Sequence, residues 1–184
     1  MSTKQVKKFV RERAPGLWRA GTYFYWRARL ASSWTESDFF GQLRRLGHFL
    51  TRRRTLAARY DAALSLAPFK GRLAPLSLAE AATLSYHIYV VRVLQQGGET
   101  AADVAGRRKD LFLHLVASGI HPQVHYIPVP RQPWYREHCD TVPENFPGAE
   151  SCYAGCLTLA LFPSMRDSDV DRVVAAIAIW VGWQ

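Results

Sequence analysis

The segment Val124-His125-Tyr126-Ile127-Pro128-Val129-Pro130-Arg131-Gln132-Pro133-Trp134-Tyr135 constrains the fold more than any other stretch of the chain. Its first part alternates as a strand does, with Val124, Tyr126 and Pro128 on one side and His125 and Ile127 on the other. Pro128, Pro130 and Pro133 then end any ladder, because proline has no N–H to donate. The expectation is a strand over 123–128 followed by a stiff, extended loop. That loop carries Arg131, Gln132, Trp134 and Tyr135 out from a sheet edge. Polar and aromatic groups on a loop of this kind either bind something or cover the core beneath them.

A chain of 184 residues can bury one ordinary core, and 48% hydrophobic against 21% charged residues describes a globular protein. The apolar run from Val173 to Trp183 is too short to cross a bilayer, and the first residues do not follow a signal-peptide pattern. A soluble cytoplasmic protein with no membrane partner is the expectation. Cys139, Cys152 and Cys156 are odd in number, fit a reducing compartment and complete no metal-ligand spacing, so they read as free thiols. The net charge of +9 is unevenly spread. Residues 1–60 hold 14 Lys and Arg against three acids, whereas residues 61–184 hold 10 against 12. The basic excess belongs to the first third, so the charge does not mark the whole chain as a nucleic-acid binder.

Residues 1–36 form a basic and aromatic segment, with arginines interleaved among Trp18, Tyr23, Phe24, Tyr25 and Trp26, and carry no clean periodicity. Such a segment stacks on bases, lies at a membrane surface or covers the flank of a domain. From 37 to 66, Phe39, Phe40, Leu43, Leu46, Phe49, Leu50, Leu56, Ala57, Tyr60 and Leu64 recur at helical spacing. This predicts one long amphipathic helix whose arginines make a solvated face, with Gly47 its weak point at ~1 kcal/mol. Residues 68–82, with Pro68, Gly71 and Pro75, read as a loop. Strands are expected at 85–94 and 156–161, and helices at 107–118, 148–154 and 168–181. Leu111, Leu115 and Val116 mark the inner face of the helix at 107–118, capped by Ser118-Gly119. Val173, Val174, Ile177 and Trp180 mark that of the last.

Five of these stretches resemble one family. Val124 to Tyr135 is similar to the VHYIPVHxQPYY segment of the DegT/DnrJ/EryC1/StrS aminotransferases, with Pro130 where the nearest branch carries histidine. Gly41-Gln42-Leu43-Arg44-Arg45-Leu46 with Arg52-Arg53-Arg54-Thr55-Leu56-Ala57-Ala58-Arg59-Tyr60-Asp61 resembles the family's SQL-RRL…RRxxLAxRYD helix. Ser85 to Arg92 resembles SxWHLYVVR, with Tyr86 for tryptophan, and Cys156 to Met165 resembles LSLPLFPxM, with Ala160 for proline. Arg107, Leu111-Phe112, Leu115 and Gly119-Ile120 follow the family's R…LF…L…GI. The order is kept across roughly 41–181. The branch that aminates the UDP-linked 4-keto sugar on the way to pseudaminic acid is the nearest in pattern.

This resemblance implies an α/β fold, the small C-terminal domain of a fold-type I pyridoxal-phosphate (PLP) transferase. In it a three-stranded, mainly antiparallel sheet packs against helices and follows a long bridging helix. Residues 37–184 are then the domain, with the bridging helix at 37–66 and the α/β unit at 68–184. The family implies PLP as cofactor and a nucleotide-linked 4-keto sugar as substrate, with His125, Tyr126 and Arg131 bordering the sugar-nucleotide pocket. Their plainer roles are a hydrogen-bonded sheet histidine, a cover for the core and an exposed loop charge.

The family's chemistry needs a lysine for the cofactor, an acid beside the pyridine nitrogen and a phosphate cradle. The chain's lysines, Lys4, Lys7, Lys8, Lys70 and Lys109, stand in charged or loop contexts and read as surface residues. No P-loop, GxGxxG or HExxH is present. No catalytic residue is assigned. The chain is therefore expected to be a fragment or truncated paralogue of a sugar aminotransferase, inactive alone, and not to hold PLP covalently. Its partner would be a missing large-domain chain or a second copy. The competing reading is a non-enzymatic module that uses the basic first 60 residues on nucleic acid, another polyanion or a protein.

Overall fold

The computed structural model describes residues 41, 43–76, 84–139 and 141–182. The chain divides into two units, Met1–Gly47 and His48–Gln184. The basic and aromatic segment at 1–36 and the start of the bridging helix lie outside the described residues.

Helix α1, Leu46–Leu64, buries Leu56, Ala57, Tyr60 and Leu64, one stripe at helical spacing. Positions 41, 43 and 44 are helical as well. A turn at Arg45 precedes α1, two residues from Gly47, and residues 43–48 are exposed and supply no packing to offset glycine's entropy. Its arginines are not simply a solvated face. Arg52 Nη2 lies 2.7 Å from Asp167 and donates to the Met165 carbonyl at 2.6 Å. Arg59 grips Asp171 with two bonds of 2.7 Å, and Arg54 donates to the Leu84 carbonyl at 3.0 Å.

Strands β1, Leu73–Pro75, β2, Tyr89–Val93, and β3, Cys156–Leu159, form one antiparallel sheet in the order β1-β2-β3. Leu73 faces Val93 and Pro75 faces Val91, while Tyr89 faces Leu159 and Arg92 faces Cys156. The three-stranded antiparallel sheet and its helices are as the sequence implied, but one strand differs. β1 lies in the stretch read as a loop; its Pro75 is tolerated because β1 is an edge. The stretch 123–128 contributes only one bridge, Gln123 to Thr158, closed by bonds of 3.0 and 2.8 Å. Its next bonded partner would be Cys156, where β3 begins directly after a helix, so no further ladder forms. The expected alternation fails with it: Val124 and His125 are half-buried in succession, and Tyr126 and Ile127 are both exposed.

Helix α2, Ala101–Ala117, starts six residues before the expected 107. Thr100 and Asp103 close a reciprocal capping box there: Thr100 Oγ1 accepts from Asp103 N, and Thr100 N donates to the Asp103 carboxylate. It ends in a Schellman motif. Gly119, at φ +70°, donates to the Val116 carbonyl, and buried Ile120 donates to the Leu115 carbonyl. Val104, Leu111 and Leu115 are its buried face, whereas Val116 is exposed. The extended loop expected after Pro130 is instead a 3-10 turn, Val129–Arg131, and helix α3, Pro133–His138. Pro133 sits at the first helical position, where its missing N–H costs nothing. Helix α4, Pro147–Gly155, runs straight into β3, and α5, Asp167–Gly182, buries Val170, Val173, Ala176, Ile177, Trp180 and Val181.

One apolar cluster joins Leu56, Tyr60 and Leu64 of α1, Val91 and Val93 of β2, Leu111 and Leu115 of α2, Leu157 and Leu159 of β3, and Ile177 and Trp180 of α5. Arg59-Tyr60-Asp61 ties α1 into it from three directions. Arg59 holds Asp171, Tyr60 Oη donates to the Ala160 carbonyl at 3.1 Å, and Asp61 accepts from Tyr89 Oη at 2.6 Å. The rings of Tyr60 and Tyr89 stack at 4.7 Å. Among the described residues, no helix is long and apolar enough to cross a membrane.

Candidate functional site

The turn from Val124 to Gln132 is braced at both ends. At its start, the His125 Nδ1 and Thr158 Oγ1 atoms are hydrogen-bonded, which fixes the imidazole on the outer edge of β3. At its end, Arg131 Nε donates to Glu150 Oε1 at 3.0 Å and its Nη2 donates to Glu150 Oε2. The guanidinium also lies over the Tyr153 ring, 5.5 Å from its centre. The Glu150 bond raises the Arg131 pKa above its ordinary value, so the cation is secure. Thr141 Oγ1 donates to the Pro130 carbonyl at 3.1 Å and pins the middle.

Between these braces Tyr126 projects outward with 86% of its surface accessible, its ring edge-on to His125 at 5.8 Å. Thus His125 and Tyr126 are brought together, and Arg131 is drawn away onto α4. Its Nε–Nη2 edge is taken by Glu150, and its Nη1 N–H groups remain for a further acceptor. Arg108 of α2 flanks the other partner of this cluster, with its guanidinium 5.6 Å from the Tyr153 ring centre and Nε 3.3 Å from the Ala154 carbonyl. Thr158, Glu150, Tyr153 and Arg108 were not among the sequence candidates. They lie 19 to 46 residues from the groups they hold, and no local periodicity links them. Beyond the turn, Trp134 stacks on His138 at 4.6 Å and extends the exposed aromatic surface along α3.

A second feature is an open cleft of about 610 Å³ lined by Asp61, Ser85, Tyr86, His87 and Tyr89 among apolar residues. Tyr86 takes the left-handed region, at φ +44°, a strained setting for a residue with a Cβ. Burial first, then the bond to Asp61, raises the Tyr89 pKa, so the phenol stays protonated and donates. His114 meets the Ala176 carbonyl from Nε2 at 2.9 Å.

The described residues do not fit a PLP site. Lys70 and Lys109 are exposed and neither lines the cleft, so no described amine is placed to carry the cofactor. Lys4, Lys7 and Lys8 lie outside the described residues. The thiols Cys139, Cys152 and Cys156 are free.

The antiparallel sheet, its helices and the braced aromatic turn define the small-domain class of fold seen in aminotransferases. The chain belongs to the DegT/DnrJ/EryC1/StrS aminotransferase family, whose model matches residues 39–178. It is 33% identical over 137 residues to the spore coat polysaccharide biosynthesis protein SpsC of Bacillus subtilis strain 168, covering 74% of this chain and 33% of SpsC. Spr1654 from Streptococcus pneumoniae, solved in PLP and PMP forms, superposes with a TM-score of 0.64 at 26% identity. That match covers 78% of this chain, and 34% of Spr1654 in its PLP form. Helicobacter pylori PseC, an aminotransferase of pseudaminic acid biosynthesis, shares the fold at a TM-score of 0.64 and 20% identity, over 79% of this chain and 36% of PseC. The chain spans about a third of the length of these relatives. PLP is the cofactor of the family.

Proposed function

We propose that this chain acts as the small domain of a PLP-dependent aminotransferase that aminates a nucleotide-linked 4-keto sugar for polysaccharide biosynthesis. In this reading the turn from His125 to Arg131 faces the nucleotide-sugar. Tyr126 offers a flat ring to base or sugar, His125 orients that ring, and Arg131 offers its Nη1 N–H groups to a diphosphate oxygen. The amine and phosphate cradle come from a large domain, carried elsewhere or by another chain, and residues 37–184 form the unit that docks to it. The 184 residues alone then perform no transamination. The sugar is of the UDP-linked kind handled by the pseudaminic acid branch, a choice that rests on the order of motifs.

The observation that carries this reading is the pose of Tyr126: a large ring, almost wholly accessible, held on a turn fixed at both ends. A ring that merely covered the core would be buried by it. The engagement of Arg52, Arg54 and Arg59 with Asp167, Leu84 and Asp171 speaks against α1 as a polyanion surface. Titration of the isotopically labelled chain with a UDP-linked N-acetyl sugar tests the proposal. Amide shifts should centre on 123–132 and disappear in Tyr126→Ala. Shifts centred elsewhere, or none at millimolar ligand, would overturn it.

A further inference from the structure

We propose that Cys152 and Cys156 are a preorganised dithiol that low-molecular-weight disulfides convert to an intramolecular disulfide. The two sulfurs lie 3.3 Å apart. Cys152 is exposed at the end of α4, whereas Cys156 is buried at the first position of β3. The approach follows from the backbone. Cys156 N–H still donates to the Cys152 carbonyl, as in a helix, while its own ψ of 134° turns the chain into the sheet. That exit rotates the Cys156 side chain toward the preceding turn.

The frame around the pair is stiff. A Cβ on Gly155 would stand 2.7 Å from the Val93 carbonyl, so the end of α4 is seated directly on β2. Arg108 binds the Ala154 carbonyl from the other side. Neither thiol can move far from its partner, and a disulfide needs the sulfurs only a little over 1 Å closer, at about 2.05 Å. Burial, and then the neighbouring thiol, push the Cys156 thiol up to about 12, which makes Cys152 the sulfur that reacts first. Arg92 and Arg108 act in the opposite direction on Cys156 and favour its thiolate in the second step.

The exchange has two steps. The Cys152 thiolate attacks one sulfur of oxidised glutathione, forming a mixed disulfide and releasing one glutathione thiolate. Cys156 loses its proton to that thiolate or to water, and its sulfur attacks Cys152 Sγ, expelling the second glutathione. Two protein thiols are oxidised and one glutathione disulfide is reduced to two thiols. Cys139, exposed and with no thiol partner among the described residues, is the internal control.

The test treats the native chain with oxidised glutathione, quenches in acid, alkylates, and digests with trypsin and a glutamate-specific protease. Cys139 falls in the peptide 138–144, and the pair falls in 151–166. The expected result is a 151–166 peptide lighter by two hydrogens and free of alkylation, while 138–144 carries glutathione or alkyl. In Cys156→Ala the glutathione adduct should persist at Cys152, and in Cys139→Ser the crosslink should form as in the natural chain. The same oxidation in urea should scramble Cys139 into the products. A stable adduct at Cys152 in the natural chain, alkylation of both thiols of the pair, or native crosslinks to Cys139 would each overturn the proposal.

Discussion

Arg131 and Glu150, 19 residues apart, meet edge to edge: Arg131 Nε donates to Glu150 Oε1 at 3.0 Å and Nη2 to Oε2. This contact turns a proline-rich connection into a fixed presentation of Tyr126. It also makes Arg131 a brace as much as a ligand group. Exposed ion pairs contribute little to stability, so Glu150→Gln should leave the melting temperature nearly unchanged. Amide exchange over 126–132 should nevertheless speed up several-fold, and trypsin should cut after Arg131 more readily. Unchanged exchange in that segment would show that the pair does not hold the turn.

Gly155 sits where α4 meets β2. Alanine there places a Cβ 2.7 Å from the Val93 carbonyl oxygen, a backbone atom that cannot swing aside. Overpacking of this kind costs about 1–3 kcal/mol. The urea midpoint of Gly155→Ala should fall accordingly, and Gly148→Ala, with open space around it, should change it far less. Equal midpoints would contradict the seating of α4.

The stability profile against pH should be flat between about 4 and about 8 and fall on both sides, the raised Cys156 thiol opening the alkaline decline. On the acid side, hydrogen bonds hold the carboxyls of Glu99, Asp103, Asp169 and Asp171 below their ordinary values. Their stabilisation is complete above the unfolded range and is lost as pH drops through the folded one. On the alkaline side, burial raises the phenols of Tyr60 and Tyr89. Their contribution is complete below the ordinary phenol value and declines as pH climbs past it. Thermal melts across that range check both edges, and Tyr89→Phe should soften the alkaline one.

The helices were legible because their apolar residues repeat at three and four and little else competes. Thr100 and Asp103 also spell out the start of α2 as a capping box, ahead of Gly106, which interrupts the apolar stripe. β2 was legible from Tyr89-Val90-Val91 and β3 from its apolar run. β1 was hidden because Pro68, Gly71 and Pro75 look like loop chemistry, and only the edge position makes Pro75 admissible. The strand at 123–128 failed for the converse reason: its local pattern was right and its partner β3 was too short. Tyr126 and Arg131 could be singled out from the motif, but Thr158, Glu150 and Tyr153 depend on the fold bringing distant segments together.

Under the proposed function, these residues supply a substrate-facing domain and not the cofactor chemistry. The most direct measurement incubates the pure 184-residue chain with PLP, glutamate and a UDP-linked 4-keto sugar. It then reduces a parallel sample with borohydride and maps any pyridoxyl-lysine by mass. The expected result is no amino sugar and no specifically modified lysine, with amino sugar appearing only when a family large domain is added. Turnover by the chain alone, or stoichiometric pyridoxylation of one lysine, would contradict it.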